Sequence, residues 1–196
     1  MPPFGDRRRR RIGLLGGSFN PAHDGHLHIS RAALHALGLD QVWWLVSPQN
    51  PLKTRSEMAP LADRLTGARA LARDHAITVA DVETRLGSVR TAQVLRALKK
   101  RYPRLAFVWL MGADNLAQLP RWWHWTSIFH TARVAVLDRS PYSYKALYGA
   151  AAIRFRRAKI SPGKLFHRAL PAWSYLAIRR HPASATSIRA AARGEV

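Results

Sequence analysis

The sequence contains no cysteine in its 196 residues, which excludes disulfide bonds and thiolate metal sites. The absence of cysteine fits a reducing compartment, and we expect a cytoplasmic protein. No uninterrupted apolar run of roughly 18 residues or more occurs, so no membrane-spanning helix is predicted. The apolar stretch behind the N-terminal arginines breaks at Gly16, which makes it too short for the hydrophobic region of a signal peptide. Neither an HExxH motif nor a Cys/His cluster occurs, and no protein-built metal site is expected.

Acidic residues are also scarce, with 11 Asp and Glu against 32 Lys and Arg, which gives a formal net charge of +21. Such a charge suits polyanions, either small phosphorylated substrates or nucleic acids. Two basic segments are candidates for nucleic-acid contacts: Arg7–Arg11 and Arg154–Lys159. Because no recognition motif accompanies the charge, we do not expect nucleic-acid binding to be the main function. Residues 1–11 are expected to form a disordered basic tail ahead of a single domain, residues 12–196.

Short apolar segments alternate with amphipathic ones along this domain. The apolar segments predict six strands: Ile12–Leu15, Gln41–Val46, Ile77–Val82, Leu105–Met111, Arg133–Leu137 and Trp173–Ile178. Helices are predicted for Gly25–Leu37, Leu61–His75, Thr91–Arg101, Trp122–Phe129 and Ser184–Ala192. We interpret the irregular, basic stretch Asp138–Pro171 as a variable insertion, and we expect Trp43, Trp44 and Trp109 in the core. The alternation predicts an α/β fold, a Rossmann-like doubly wound parallel sheet with a small C-terminal helical segment.

The most informative segment is Gly16–His26, with the sequence GGSFNPAHDGH, between the first predicted strand and the first predicted helix. Here a glycine turn and a helix N-terminus would gather backbone N–H groups and the imidazoles of His23 and His26, where the helix dipole adds positive charge. Gly25 would let a ligand approach the backbone closely. Three other residues follow predicted strands and would share this edge of the sheet: Asn50, Gly112 and Asp114. The sequence therefore predicts a site for a phosphate chain.

This segment resembles the signature of the His-x-Gly-His nucleotidyltransferase superfamily, and its GGSFNPxHxGH form is similar to that of the nicotinate-nucleotide adenylyltransferase family. The resemblance implies an enzyme of NAD biosynthesis that transfers the adenylyl group of ATP to nicotinate mononucleotide, with Mg²⁺ arriving bound to ATP. It also implies catalytic roles for His23, His26 and Arg189. One alternative is an adenylyltransferase for nicotinamide mononucleotide or pantetheine phosphate, although the pantetheine-phosphate enzymes usually carry Thr in place of His23. The alternative outside this class is a basic nucleic-acid binder.

The segment Ser184–Arg189, SATSIR, has the Ser and Thr residues that cap helices and resembles the family's SSTxIR motif. In that motif the hydroxyls, the helix N-terminal amides and the arginine bind the ATP phosphates. Ala185 replaces the second serine of the motif, and alanine has no hydroxyl to make that contact. The segment Met111–Leu116 resembles the family's GxDN motif, whose aspartate helps to shape the nucleotide site. The resemblance thus implies an ATP site formed by Gly16, Gly17, Ser18, Phe19, Gly25, His26, Gly112, Asp114, Thr186, Ser187, Ile188 and Arg189.

The acceptor site is also implied by resemblance. Trp122 matches the aromatic residue that stacks on the nicotinate ring, and Trp123 matches the next position, whose backbone amide is used. Thr91 matches a threonine near the nicotinate carboxylate, while Arg90 replaces the usual tyrosine before it and Val94 replaces a further threonine. Lys53, in the loop after the second predicted strand, is a candidate phosphate contact. The implied acceptor site comprises Asn20, Lys53, Thr91, Trp122 and Trp123.

Overall fold

The computed structural model describes residues 8–48, 58–138, 143–179, 181, 183 and 185–192. Within these ranges, six strands form one parallel sheet in the order β3-β2-β1-β4-β5-β6. The strands are β1 (Arg11–Gly17), β2 (Gln41–Val46), β3 (Ile77–Ala80), β4 (Ala106–Gly112), β5 (Arg133–Leu137) and β6 (Trp173–Leu176). The helices are α1 (Asp24–Leu37), α2 (Leu61–Leu71), α3 (Val82–Leu86), α4 (Thr91–Arg101), α5 (Ala113–Gln118), α6 (Trp125–Thr131), α7 (Ser143–Leu147), α8 (Ala150–Arg154) and α9 (Ala185–Ala192).

The sheet is buried on both faces, as a parallel sheet covered by helices requires. The neighbours Trp43 and Trp44 of β2 are both fully buried, and they belong to two different core clusters. One cluster includes the apolar side of α4, and the other includes that of α1. Trp109 of β4 joins the first cluster. The predicted doubly wound α/β fold and the core positions of the three tryptophans are therefore confirmed.

Several predicted boundaries differ from the structure. β1 begins at Arg11, the last residue of the predicted tail, because Arg11 pairs with Ala106 of β4. Its backbone N–H also donates to the Asp40 carboxylate at 2.6 Å, and its carbonyl accepts from Asp40 N. The strand predicted to reach Val82 ends at Ala80, since Val82 already opens α3. Residues 1–7 of the predicted tail lie outside the described residues.

In the second half of the chain, one predicted helix start needs correction, and the stretch predicted to be irregular contains helices. The helix predicted from Trp122 begins only at Trp125, because His124 has a left-handed φ of 48° that a continuous helix does not allow. The predicted insertion contains α7 and α8, and its apolar residues belong to the two cores. Buried members of this stretch are Ala146, Ala151, Ala152, Phe155, Ala158 and Leu165.

The strand order places a crevice at the middle of the sheet. The chain runs from β1 to β2 and β3 on one side, then returns to β4, which pairs with β1 on the other side. In open parallel sheets, ligands bind at this reversal, outside the carboxyl ends of the strands. β1 and β4 end there at Gly17 and Gly112. No described helix is both long and apolar enough to cross a membrane.

Candidate active site

The turn after β1 begins with two glycines and is fixed by its surroundings. A Cβ atom on Gly16 would lie 2.4 Å from Cη2 of the buried Trp109 side chain, so only glycine fits there. The Gly17 carbonyl accepts a hydrogen bond from the backbone N–H of Ser47, just after β2, at 2.9 Å. Phe19 has a φ of 47°, in the left-handed region that side-chain-bearing residues rarely adopt. The turn is therefore tight and held in one conformation by neighbouring strands.

His23 and His26 lie at the N-terminus of α1, with ring centroids 4.0 Å apart. His23 is the N-cap residue, and its Nδ1 accepts a hydrogen bond from Gly25 N at 3.1 Å. Nδ1 of His26 accepts one from His23 N at 3.2 Å. Because a backbone amide can only donate, the proton of each neutral imidazole lies on Nε2. Two Nε2–H donors beside a helix N-terminus are suited to bind phosphate oxygens.

The C-terminal segment packs against this helix N-terminus. The carbonyl oxygen of Ala183 lies 3.0 Å from the point that a Cβ on Gly25 would occupy, and the His23 ring lies 2.8 Å from it. Arg189 of α9 donates from Nη1 to the Asn20 carbonyl at 2.6 Å. The structure thus brings α9, which contains the predicted residues Thr186–Arg189, next to the predicted phosphate site.

The β4–α5 junction lies at the same edge of the sheet. Gly112 ends β4 and is the N-cap residue of α5, and the half-buried Asp114 lies in the first turn of that helix. β4 pairs directly with β1, so Gly112 ends the strand adjacent to the one that carries Gly17, and Asp114 follows two residues later. The carboxylate of Asp114 suits the positive end of the α5 dipole.

Of the residues predicted for the acceptor, Trp123 lies in an aromatic and cationic cluster at α4, formed with Arg90 and Arg96. Thr91 is the first residue of α4, and Arg90 is its N-cap residue. The guanidinium carbon of Arg90 lies 4.9 Å from the centroid of the Trp123 ring, and that of Arg96 lies 5.9 Å from it. Trp122 packs half-buried against the core that includes α4, whereas Trp123 is 38% exposed. Two guanidinium groups make this cluster suited to a carboxylate.

Sequence reasoning did not assign Arg64 and Glu83, which are buried beside the turn. Oε2 of Glu83 accepts a hydrogen bond from the Ser47 hydroxyl at 2.5 Å. Burial raises the pKa of Glu83 from 4.5 to about 7, opposed by the hydrogen bond from Ser47, which favours the carboxylate. A signal for Arg64 was present, because it follows Leu61 by three residues and precedes Ala68 by four, on the predicted apolar face. No comparable pattern marked Glu83.

Some predicted residues cannot be placed. Lys53, Asn50 and Ser184 lie outside the described residues. Thr186 belongs to α9, while Ser187 and Ile188 of that helix are exposed. In the part of the chain that the structure describes, no group of three or more His, Asp or Glu side chains could hold a metal ion.

Comparison with known proteins covers nearly the whole chain. The cytidylyltransferase-like family matches residues 14–191. A protein of Parvibaculum lavamentivorans named "Probable nicotinate-nucleotide adenylyltransferase" is 50% identical over 182 residues, which cover 91% of this chain and 90% of that protein. A protein of the same name from Caulobacter sp. strain K31 is 49% identical over 182 residues, with 91% and 96% covered.

Solved structures share the fold. The nicotinic acid mononucleotide adenylyltransferase of Plasmodium falciparum, complexed with NaAD, superposes with a TM-score of 0.68 at 14% identity, over 92% of this chain and 82% of that one. A putative nicotinate-nucleotide adenylyltransferase from Vibrio parahaemolyticus gives a TM-score of 0.54 at 19% identity, over 69% and 77%. Together, the family match and the two half-identical relatives show that the chain belongs to the cytidylyltransferase-like family and, within it, to the nicotinate-nucleotide adenylyltransferases.

Proposed function

We propose that this protein transfers the adenylyl group of ATP to nicotinate mononucleotide, giving nicotinic acid adenine dinucleotide and pyrophosphate. The observation that carries the proposal is the contact between the β1–α1 region and the C-terminal segment. Arg189 of α9 donates to the Asn20 carbonyl, and the carbonyl of Ala183, two residues before α9, lies beside Gly25 at the start of α1. This contact gathers two imidazoles, a guanidinium and a helix N-terminus where the strand order reverses. The half-identical relatives that bear this activity in their names support the same conclusion.

The chemistry requires positioning more than proton transfer. The nucleophile would be the 5′-phosphate of the mononucleotide, whose second pKa near 6 leaves it charged at neutral pH, so no strong general base is needed. The protein has to hold one phosphate oxygen in line with the α-phosphorus of ATP and stabilise the charge that develops. Nε2–H of His23 and of His26 would donate to phosphate oxygens there.

Arg189 and the start of α9 would hold the leaving pyrophosphate. The guanidinium uses one Nη1 hydrogen bond to fix Asn20, and its planar fork has further donors for phosphate oxygens. Amides of Thr186, Ser187 and Ile188, in the first turns of α9, would add donors and the positive end of the helix dipole. Mg²⁺ would enter as part of the MgATP substrate, with phosphate and water as its main ligands, because the described residues offer no carboxylate or imidazole cluster.

Trp122, Trp123 and Thr91 would bind the acceptor. The nicotinate ring of the mononucleotide carries a positive nitrogen, which suits the face of Trp122, and a carboxylate, which suits the cationic start of α4. Arg90, the residue before Thr91, adds a positive charge at this place, and its guanidinium stacks on the ring of Trp123. The site would therefore favour the acid over the amide form of the acceptor.

Two measurements test the proposal. In a pyrophosphate-release assay with ATP, we expect turnover with nicotinate mononucleotide and little with nicotinamide mononucleotide or phosphopantetheine. In a thermal-shift experiment, a non-hydrolysable ATP analogue and nicotinate mononucleotide should raise the melting temperature. Stabilisation by short oligonucleotides alone, without pyrophosphate release, would instead indicate a basic nucleic-acid binder.

A further inference from the structure

Arg64 of α2 is a buried cation, only 4% exposed, and its guanidinium donates to four backbone carbonyls. Nη1 lies 2.7 Å from the carbonyl oxygens of both Ser18 and Ser47. Nη2 lies 3.1 Å from that of Pro48, and Nε lies 2.9 Å from that of Ala59. A single side chain therefore connects the β1–α1 turn, the end of β2 and the residue that precedes α2 by two positions.

Two arginines donate hydrogen bonds to backbone carbonyls of the β1–α1 turn, one on each side of Phe19. Arg64 binds the Ser18 carbonyl, just before Phe19. Arg189 binds the Asn20 carbonyl, just after Phe19. Between these two contacts, Phe19 keeps its left-handed φ of 47°. Such a conformation persists only where the surroundings enforce it.

The Phe19 side chain transmits this backbone position to the imidazoles. Its ring is buried, stacks on Trp44 with centroids 5.1 Å apart, and lies 4.5 Å from the ring of His26. A shift of the Ser18–Phe19 backbone would therefore move the surface against which His26 packs.

Ala59 gives Arg64 a second route to the same turn. The backbone N–H of Ala59 donates to Oδ1 of Asn20 at 3.2 Å, while the carbonyl of Ala59 accepts from Nε of Arg64. Arg64 thus fixes both the Ser18 carbonyl and the residue that orients the Asn20 side chain.

We propose that Arg64 is a positioning residue for the adenylyl transfer: it fixes the β1–α1 turn so that Phe19 holds His26 in its reactive orientation. This inference rests on the proposed function for its kinetic readout. Arg64 acts through main-chain carbonyls, and its planar fork reaches four of them in a way that a lysine ammonium cannot reproduce.

The test compares R64K with R69K, which makes the same change at an exposed arginine of the same helix. Because displacement of a reacting group by about 1 Å can cost on the order of a hundredfold, we expect kcat of R64K to fall by roughly tenfold to a hundredfold. KM for each substrate should stay within about threefold, since the loss arises in the transition state. R69K should match the wild type in both constants.

A second readout is independent of turnover. In two-bond ¹H–¹⁵N spectra of the imidazoles, R64K should shift the signals of His26 and leave those of His35, exposed near the other end of α1, unchanged. Circular dichroism must show R64K folded at the assay temperature; if it is not folded, R64Q and measurement in the cold replace it.

The outcomes separate the two proposals. A folded R64K with the kcat of R69K, a loss confined to KM, or unchanged His26 signals would overturn the positioning role. Failure of both R64K and R64Q to fold even in the cold would overturn it too, because Arg64 would then serve the fold. If the wild type itself releases no pyrophosphate, the proposed function fails, and the imidazole spectra alone decide the role of Arg64.

Discussion

Replacing Glu83 by glutamine is expected to make the stability of this protein less dependent on pH. Glu83 is 5% exposed, and its carboxyl accepts a hydrogen bond from the Ser47 hydroxyl. Glutamine has nearly the same shape and keeps an oxygen that can accept this bond, but it cannot ionise. The substitution therefore removes one titration while preserving the packing.

The size of the effect follows from the pKa of Glu83, which burial raises from 4.5 to about 7 in the folded state. Between these two values the folded protein binds more protons than the unfolded chain, so the free energy of unfolding decreases as the pH rises. The interval corresponds to about 3 kcal/mol, because each pKa unit is worth about 1.4 kcal/mol. The stability lost through Glu83 is about 1 kcal/mol at pH 5 and about 3 kcal/mol at pH 8. Relative to the wild type, the free energy of unfolding of E83Q should therefore rise by about 2.5 kcal/mol between about pH 5 and about pH 8.

Urea unfolding of both proteins at the two pH values measures this difference directly. D63N, a change of an exposed acid in α2, is the control and should show no comparable change with pH. If the stability difference between E83Q and the wild type is the same at both pH values, Glu83 titrates like an exposed carboxyl and the reasoning from burial is wrong.

Three further substitutions test the site. H26A should remain folded and lose on the order of 10²–10³ in kcat, because it loses a preorganised donor to the developing charge; a near wild-type kcat would remove His26 from catalysis. R189K should raise KM for ATP or lower kcat by on the order of tenfold, because lysine lacks the planar guanidinium fork. If kcat and KM for ATP are both unchanged, Arg189 has only a structural role. W122A should raise KM for the mononucleotide by roughly 2- to 30-fold while KM for ATP stays constant; an equal rise in both would contradict ring stacking.

Local patterns in the sequence predict the sheet, which the structure confirms, and indicate the edge of the sheet where its ligand site would lie. Apolar strands such as β2 and β5 have the predicted bounds, because a strand buried on both faces is continuous in apolar residues. The Gly16–His26 segment is predicted between a strand and a helix for a similar reason, since its glycines and cap residues act over a few positions. Because ligands of such sheets bind outside the carboxyl ends of the strands, Gly112 and Asp114 are predicted at the same edge as this segment.

Sequence patterns do not reveal contacts between distant residues, and they mark the starts of some short helices poorly. Arg64 and Ser18 are 46 positions apart, and no periodic pattern specifies which carbonyls a buried guanidinium will meet. The late start of α6 depends on the left-handed backbone of His124, a conformation that histidine adopts more often than most residues but still in a small minority of cases. The sequence pattern does not indicate the start of α3, because its first residue, the buried Val82, extends the apolar pattern of the strand before it.

The central claim is that this protein joins ATP and nicotinate mononucleotide, and that it prefers the acid acceptor. Comparison of kcat/KM for nicotinate and nicotinamide mononucleotides, with the dinucleotide product identified by mass, tests it most directly. A site that pairs the carboxylate leaves its donors unpaired when the amide binds, so kcat/KM should be higher for the acid by about tenfold or more. Equal efficiency would contradict the selectivity assigned to Arg90, Thr91 and Trp123, and the absence of any dinucleotide product would contradict the proposed reaction.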